Sequence, residues 1–214
     1  MSPPSLLAAL HQPAIVSRAP PSPGAADASL HAPPAHGRRP LPPNVELRAC
    51  TAADLPHLKR LTSLLLPIPY PDKFYKDIVS DPVTNSITLL AVWHDDTPAD
   101  APGKGRLIGA IRCRLLEPST APVLYLSTLV LLSPYRKHGI ATHLLRTVVQ
   151  KAAEDYGVTR VAAHVWEANV DGLAWYRQRG FRETGRESEY YRRLEPSGAV
   201  LVERAVGVAD LLRP

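Results

Sequence analysis

Between Val123 and Tyr156 the chain passes from an apolar stretch through Arg136-Lys137-His138-Gly139-Ile140-Ala141 into a long amphipathic segment, and this arrangement suits a bound pyrophosphate. Gly139 and the small Ala141 let main-chain amides come close to a ligand. Amides that open a helix are unpaired and lie at its positive dipole end, so they favour an anion. Arg136 and Lys137 add mobile positive charge. Alone, a basic residue, two spacers, Gly, one spacer and Gly or Ala also suits a plain turn opening a core helix; a strand before it and an amphipathic helix after it favour the ligand. The loop is not a Walker A sequence, because no Gly-Lys-Ser/Thr follows at the right spacing, and no Gly-x-Gly-x-x-Gly occurs either.

The elements that must hold this loop follow from hydrophobic spacing. Ile140, Leu144, Leu145, Val148, Val149 and Ala152 form one apolar stripe of a helix that Gly157 ends as a C-terminal cap. Upstream, Val45 to Ala49 alternates as a strand, and Thr51 with Asp54 has the spacing of a capping box at the start of a helix striped by Leu55, Leu58, Leu61 and Leu65. Three prolines at alternate positions hold residues 66–71 extended, and a short helix follows from Lys73 to Val79. Strands are predicted at Ile87 to Trp93 and Arg106 to Leu116, joined as an elaborated hairpin around Asp95 to Gly105, and at Val123 to Leu132. After the loop helix come a strand from Thr159 to Trp166, a helix through Leu173, Ala174 and Tyr176 ending at Gly180, and a closing pair at Phe181 to Thr184 and Glu189 to Leu194. This order predicts an α/β fold with a central mixed sheet and helices on both faces.

Composition bounds the function. Of 23 prolines, eleven lie in residues 1–44, where few side chains could form a core, so a disordered tail is predicted there. A targeting peptide is the alternative, given Arg18, Arg38 and Arg39 against the single Asp27, but the prolines would break a presequence helix. Residues 45–204 are expected to form one domain, with 205–214 as a C-terminal extension. No apolar run reaches the roughly 18 to 20 residues of a membrane span, so a soluble protein is expected. Cys50 and Cys113 are the only cysteines, which argues against a sulfur-ligated zinc site and for packing roles in a reducing compartment. A net charge of +5 is too mild to imply nucleic acid and suits a polyanionic cofactor.

The Arg136 to Ala141 loop resembles the coenzyme-binding loop of the GNAT acyltransferases. Further blocks narrow the resemblance to NatE-type N-terminal acetyltransferases: Leu66-Pro67-Ile68-Pro69-Tyr70, Asp72 to Asp77, Leu124 to Leu129, Ala163-His164-Val165, Asn169, Trp175-Tyr176-Arg177 and Tyr190-Tyr191. It runs from about Val45 to Glu203. The resemblance implies a GNAT fold and acetyl-CoA as cosubstrate, with no metal. Leu129, Val130, Leu131, Arg136, Lys137, His138, Gly139, Ile140, Ala141, Thr142, Asn169 and Tyr176 would then bind the coenzyme, with Tyr176 near the leaving sulfur. Leu66, Pro67, Ile68, Tyr70, Ser127, Tyr190 and Tyr191 would line the peptide cleft, an apolar pocket taking the first side chain and tyrosine hydroxyls holding the backbone. Leu66 stands where the family usually has Phe, and Ser127 where it often has Met. The 95–105 insertion and the tail have no counterpart in the family pattern.

Acetyl transfer to an amine needs a neutral amine, a polarised carbonyl and a leaving thiolate. A peptide α-amine has a pKa of about 7.7 to 8.0, so roughly a tenth is neutral near pH 7 and a base has modest work to do. Histidine suits that step, directly or through water. By the resemblance the base is His164, with Tyr125 on the adjacent strand positioning the water or relaying the proton; from sequence alone both also read as ordinary sheet residues. The implied substrates are nascent or mature protein N-termini, Met followed by a hydrophobic residue, in the cytoplasm and also the nucleus. Docking on the NatA catalytic and auxiliary subunits at the ribosome is implied as well. Acetylation of lysine or small amines, or a weakly active structural subunit of that assembly, are the competing readings.

Overall fold

The computed structural model describes residues 39–95, 105–116 and 121–211. Seven strands form one sheet: β1 (Val45–Ala49), β2 (Thr88–Trp93), β3 (Arg106–Leu116), β4 (Val123–Leu131), β5 (Arg160–Trp166), β6 (Arg182–Glu187) and β7 (Ala199–Ala205). Their spatial order is β1-β2-β3-β4-β5-β7-β6, and every neighbouring pair is antiparallel except β4 with β5. The helices are α1 (Leu55–Leu65), α2 (Asp72–Ser80), α3 (Pro82–Ser86), α4 (Ile140–Tyr156), α5 (Val170–Arg177) and α6 (Val208–Leu211).

Two apolar layers sandwich the sheet, as the mixed α/β reading expects. On one face α4 buries the full stripe Ile140, Leu144, Leu145, Val148, Val149 and Ala152. Leu173 and Tyr176 of α5 join it against β2 to β5. Gly157, at φ 65°, ends α4 in the left-handed conformation that costs glycine nothing. On the other face Leu58 and Leu61 of α1 and Phe74, Tyr75 and Ile78 of α2 pack over Leu90, Ala110 and Val130. Leu144 and Ile78 are fully buried, so truncating either to Ala costs about 2–5 kcal/mol. The Asp54 carboxylate accepts from the Thr51 N–H and hydroxyl and forms a two-pronged ion pair with Arg48, tying β1 to the start of α1.

Two features of the sheet position the site. First, β4 and β5 pair only over Val123–Tyr125 and Arg160–Ala162, while both strands continue. Beyond Tyr125 they separate, leaving main-chain groups of β4 that no strand on that side takes up. Second, the β3–β4 register slips: Arg112 faces Thr128 and Cys113 faces Leu126, so Ser127 is an extra residue on β4. Such a bulge re-aims side chains. It brings Tyr125 and Thr128 to the same face as Arg112 and Arg114.

The closing pair differs from the expectation. β6 pairs with β7, while the 189–194 segment forms turns. The tyrosines there have high strand propensity, but the Tyr190 ring stacks on His164 of β5 and Tyr191 packs edge-on to Tyr190, and tertiary packing overrides propensity. α3 was not anticipated; Asp81 caps it by accepting from the Val83 and Thr84 amides, with Pro82 at its first position. Cys50 and Cys113 are buried and unpaired. The tip of the 95–105 insertion (96–104) and most of the predicted tail (1–38) lie outside the described residues. Among the described residues no helix is long and apolar enough to cross a membrane.

Candidate active site

Tyr125 and His164 meet where the two parallel strands part. The Tyr125 hydroxyl lies 2.9 Å from His164 Nδ1 and 3.0 Å from the Tyr190 hydroxyl. His164 Nε2 lies 3.0 Å from Glu187 Oε1. An ionised carboxylate only accepts, so Nε2 carries the ring proton and Nδ1 presents its lone pair to Tyr125, which donates to it. The Tyr125 oxygen is then left to accept from Tyr190. The result is a directed chain from Tyr190 through Tyr125 and His164 to Glu187. Burial lowers the His164 pKa below its usual 6.5, against the opposing pull of Glu187, so the ring is neutral at pH 7 and able to take a proton. Burial, with Tyr190 adding to it, holds Tyr125 well above the usual tyrosine value and keeps it a donor.

Glu187 was not singled out from sequence. It comes into range because β7 lies between β5 and β6: Trp166, Ala199 and Glu187 stand in one row, and the small Ala199 leaves the way open to His164. No motif marks this; the only signal is the strand order itself.

The two tyrosines of the 189–194 turn complete the wall. The Tyr190 ring stacks on His164 at 4.3 Å and 11°. The Tyr191 hydroxyl donates to the His164 carbonyl at 3.3 Å. Both hydroxyls are thus bonded within the protein. Tyr70 donates to the carbonyl of the bulged Ser127 at 2.8 Å and accepts from Thr128 at 2.9 Å; burial raises it to about 12, so it stays protonated. A cavity of about 70 Å³ opens among Tyr70, Tyr125, His164, Tyr190, Arg112 and Arg114, with Ser127 and Tyr191 also on its wall. Leu66, Pro67 and Ile68 do not line it: Leu66 caps α1, and all three lie on the segment leading to Tyr70.

The glycine loop stands at the other end of the parting strands. Lys137 at φ 66° and Gly139 at φ 85° are both left-handed, a geometry that gathers successive N–H groups into a concave nest. Among the described residues the amides of 137–141 donate to no backbone carbonyl. They open α4, where its dipole is positive. A Cβ on Gly139 would meet nothing closer than 3.7 Å, so the glycine serves its φ and the open surface above it, not a tight packing contact. His138 is exposed within the loop, whereas the Ile140 side chain belongs to the core and only its amide faces outward. Arg136 Nε folds back onto the Leu131 carbonyl at 3.1 Å, joining the loop to the end of β4, where Leu129, Val130 and Leu131 lie.

Sequence reasoning missed two cations here. Arg39 sends Nη1 to the Lys137 carbonyl at 3.1 Å, and its own carbonyl lies 2.9 Å from His143 Nε2. Arg179 donates to the Thr142 hydroxyl through Nε and Nη2, at 3.0 and 2.6 Å, and covers the Trp175 ring. Asn169 caps α5 by accepting from the Gly172 amide, and Tyr176 is packed edge-on to Trp175 and Phe181. Tyr176 belongs to the core on the α4 face, and Asn169 stands at the start of α5 just after β5.

A parted parallel strand pair, unpaired amides at a helix start and a histidine beside a tyrosine are the parts that a coenzyme-dependent acetyltransferase of amines needs. The chain belongs to the acetyltransferase (GNAT) family, whose model matches residues 57–181. It is 30% identical to N-alpha-acetyltransferase 50 of Danio rerio, over 76% of this chain and 89% of the relative. It is 28% identical to the probable N-acetyltransferase san of Drosophila melanogaster, over 76% and 82%. Among solved structures it resembles Arabidopsis thaliana Naa50 in complex with the bisubstrate analogue CoA-Ac-MVNAL, with a TM-score of 0.64, 30% identity and coverage of 76% of this chain and 99% of that one.

Proposed function

We propose that this protein transfers the acetyl group of acetyl-CoA directly to the α-amine of protein N-termini, with initiator Met followed by a hydrophobic residue as a substrate class. The observation that carries this reading is the bonded Tyr125–His164 pair at the mouth of the strand opening, on the same β4 that leads into the Gly139 nest. Relatives named for N-terminal acetylation, one solved with a coenzyme A–peptide conjugate, support it.

In this mechanism the nest amides and Arg136 hold the coenzyme's pyrophosphate. Main-chain groups of β4 around Leu129 to Leu131 meet the charge that develops on the acetyl oxygen, and a donor of that kind is worth about 3–4 kcal/mol. The substrate amine loses its proton to His164 directly or through one water that Tyr125 positions, and Glu187 stabilises the imidazolium that results. The neutral amine nitrogen bonds the acetyl carbon as the carbon–sulfur bond breaks; the proton that the nitrogen sheds on becoming an amide goes to the departing thiolate, which leaves as the thiol. Tyr176 stands on the wall assigned to the sulfur. Cytoplasmic action on chains at the ribosome, together with the NatA subunits, is part of the same proposal.

The test is the initial rate of coenzyme A release with a Met-Leu peptide. His164→Ala and Tyr125→Phe should each lower kcat by about 10²–10⁴-fold, the usual worth of positioned acid–base groups. Wild-type turnover in both variants would refute the assigned roles.

A further inference from the structure

Arg112 is a buried cation that the mechanism above leaves idle. It sits on β3 beside the Ser127 bulge, is only 8% exposed, and lies with its guanidinium carbon 4.2 Å from the centre of the Phe74 ring. Its Nε is fully buried and has no hydrogen-bond partner among the described residues. The nearby carboxylates are committed elsewhere: Asp77 is bonded to Lys73, and Asp81 caps α3. Both act on Arg112 only at longer range, and neither forms an ion pair with it. Arg114, two residues along the same face, adds a like charge. Burial accordingly pushes the Arg112 guanidinium below its usual value.

Among the described residues Arg112 has no ion-pair partner; a buried cation without one is costly, and an anion brought to it recovers that cost. The way in is the cavity, since Arg112 and Arg114 share its wall with Tyr125 and His164. An anion there must belong to the molecule whose amine is presented to His164, because the coenzyme's own phosphates are assigned to the nest at the other end of the strand opening. A guanidinium matches a carboxylate through two parallel N–H···O bonds, and the Phe74 ring over it, itself stacked 3.8 Å from Tyr70, keeps water away and sharpens that match.

We infer that Arg112 recognises an acidic side chain within the first two residues of the accepted polypeptide, so that N-termini carrying Asp or Glu there form a second substrate class beside Met-hydrophobic ones. This rests on the proposed N-terminal acetyltransferase activity and extends its substrate range. Glu187 does not compete for the guanidinium, since it is bonded to His164.

The experiment measures kcat/KM with acetyl-CoA on otherwise identical peptides that begin Met-Leu, Met-Glu, Met-Gln, Glu-Leu and Gln-Leu. Glu and Gln have the same shape, so their ratio isolates the charge. The wild-type protein should favour Glu over Gln by about tenfold or more at one of the two positions, the scale of a charge-assisted hydrogen bond. Arg112→Met should bring that ratio to about one. A wild-type ratio near one at both positions overturns the inference and needs no variant, so it stands even if Arg112→Met fails to fold. A preference that persists in Arg112→Met also overturns it. If Met-Leu is acetylated without acidic preference, only this inference fails. If no N-terminal peptide is acetylated although acetyl-CoA binds, the proposed function fails and takes the inference with it.

Discussion

Replacing Glu187 by Gln keeps an oxygen that can accept from His164 Nε2 and removes only the charge, which makes it the sharpest probe of the proton chain. When His164 takes the substrate proton, an imidazolium forms against the carboxylate, 3.0 Å away from nitrogen to oxygen. Two unit charges about 4 Å apart at an effective dielectric of about 20 attract by about 4 kcal/mol. The Glu187 side chain is 25% exposed and that of His164 is 10% exposed, so solvent screening leaves about 1–2 kcal/mol of it. Since about 1.4 kcal/mol is tenfold in rate, Glu187→Gln should lower kcat by about 5- to 30-fold. Acetyl-CoA affinity should not move, because the nest lies at the other end of the opening. The acid side of the profile gives a second readout: Glu187 opposes the effect of burial on His164, so its loss should push the His164 pKa lower still and move the acid limb of kcat to lower pH. Steady-state kinetics between about pH 5 and 9, with calorimetry for the coenzyme, measures both. A kcat within about twofold of wild type, with an unmoved acid limb, would refute the reasoning that Glu187 stabilises a charged His164 during transfer.

The coenzyme nest makes a contrasting prediction. Gly139→Glu has room for its Cβ but must hold φ 85°, which costs about 1–2 kcal/mol and is partly offset by an acid at a helix start. The variant should therefore fold, with Tm lowered by only a few degrees, while acetyl-CoA affinity falls by about 30-fold or more through repulsion of the phosphates; unchanged affinity in calorimetry contradicts the nest. Tyr190→Phe should leave the Tyr125 oxygen without its donor and lower kcat, with little change in coenzyme binding; a change confined to KM would assign Tyr190 to peptide contact alone. Stability should also report on His164. Its folded pKa is depressed, so the stabilisation from burying the neutral ring is complete above about pH 6.5 and is lost as pH falls through the folded value. Thermal melting should thus decline more steeply on acidification below about pH 6.5 in the wild type than in His164→Gln, and parallel curves would contradict a buried neutral ring.

Most of the scaffold is written in local patterns. The α4 stripe is periodic over four turns and every one of its positions is buried, and Gly157 stops the helix where a left-handed residue is needed. The loop was readable for the same reason: its glycine and basic residues carry their function in their own backbone. What was hidden depends on distant strands. Tyr190 and Tyr191 look like strand residues, yet they form a turn in which Tyr190 stacks on His164 and the Tyr191 hydroxyl bonds the His164 carbonyl. The true closing strand, Ala199–Ala205, is an apolar start followed by Glu203 and Arg204 with no motif to mark it, and only its insertion between β5 and β6 lines Glu187 up with His164. Arg112 was likewise invisible: on an alternating strand it reads as solvent-facing, and only α2 packing over that face buries it.

The central claim is that the acetyl group goes to the free α-amine of a polypeptide. A Met-Leu peptide that also carries an internal lysine, incubated with acetyl-CoA and sequenced by tandem mass spectrometry, tests it in one measurement. The account predicts a single acetyl group on the N-terminal nitrogen and none once that nitrogen is blocked. Acetylation of the lysine side chain in the blocked peptide, at a rate equal to that of the free one, would contradict it.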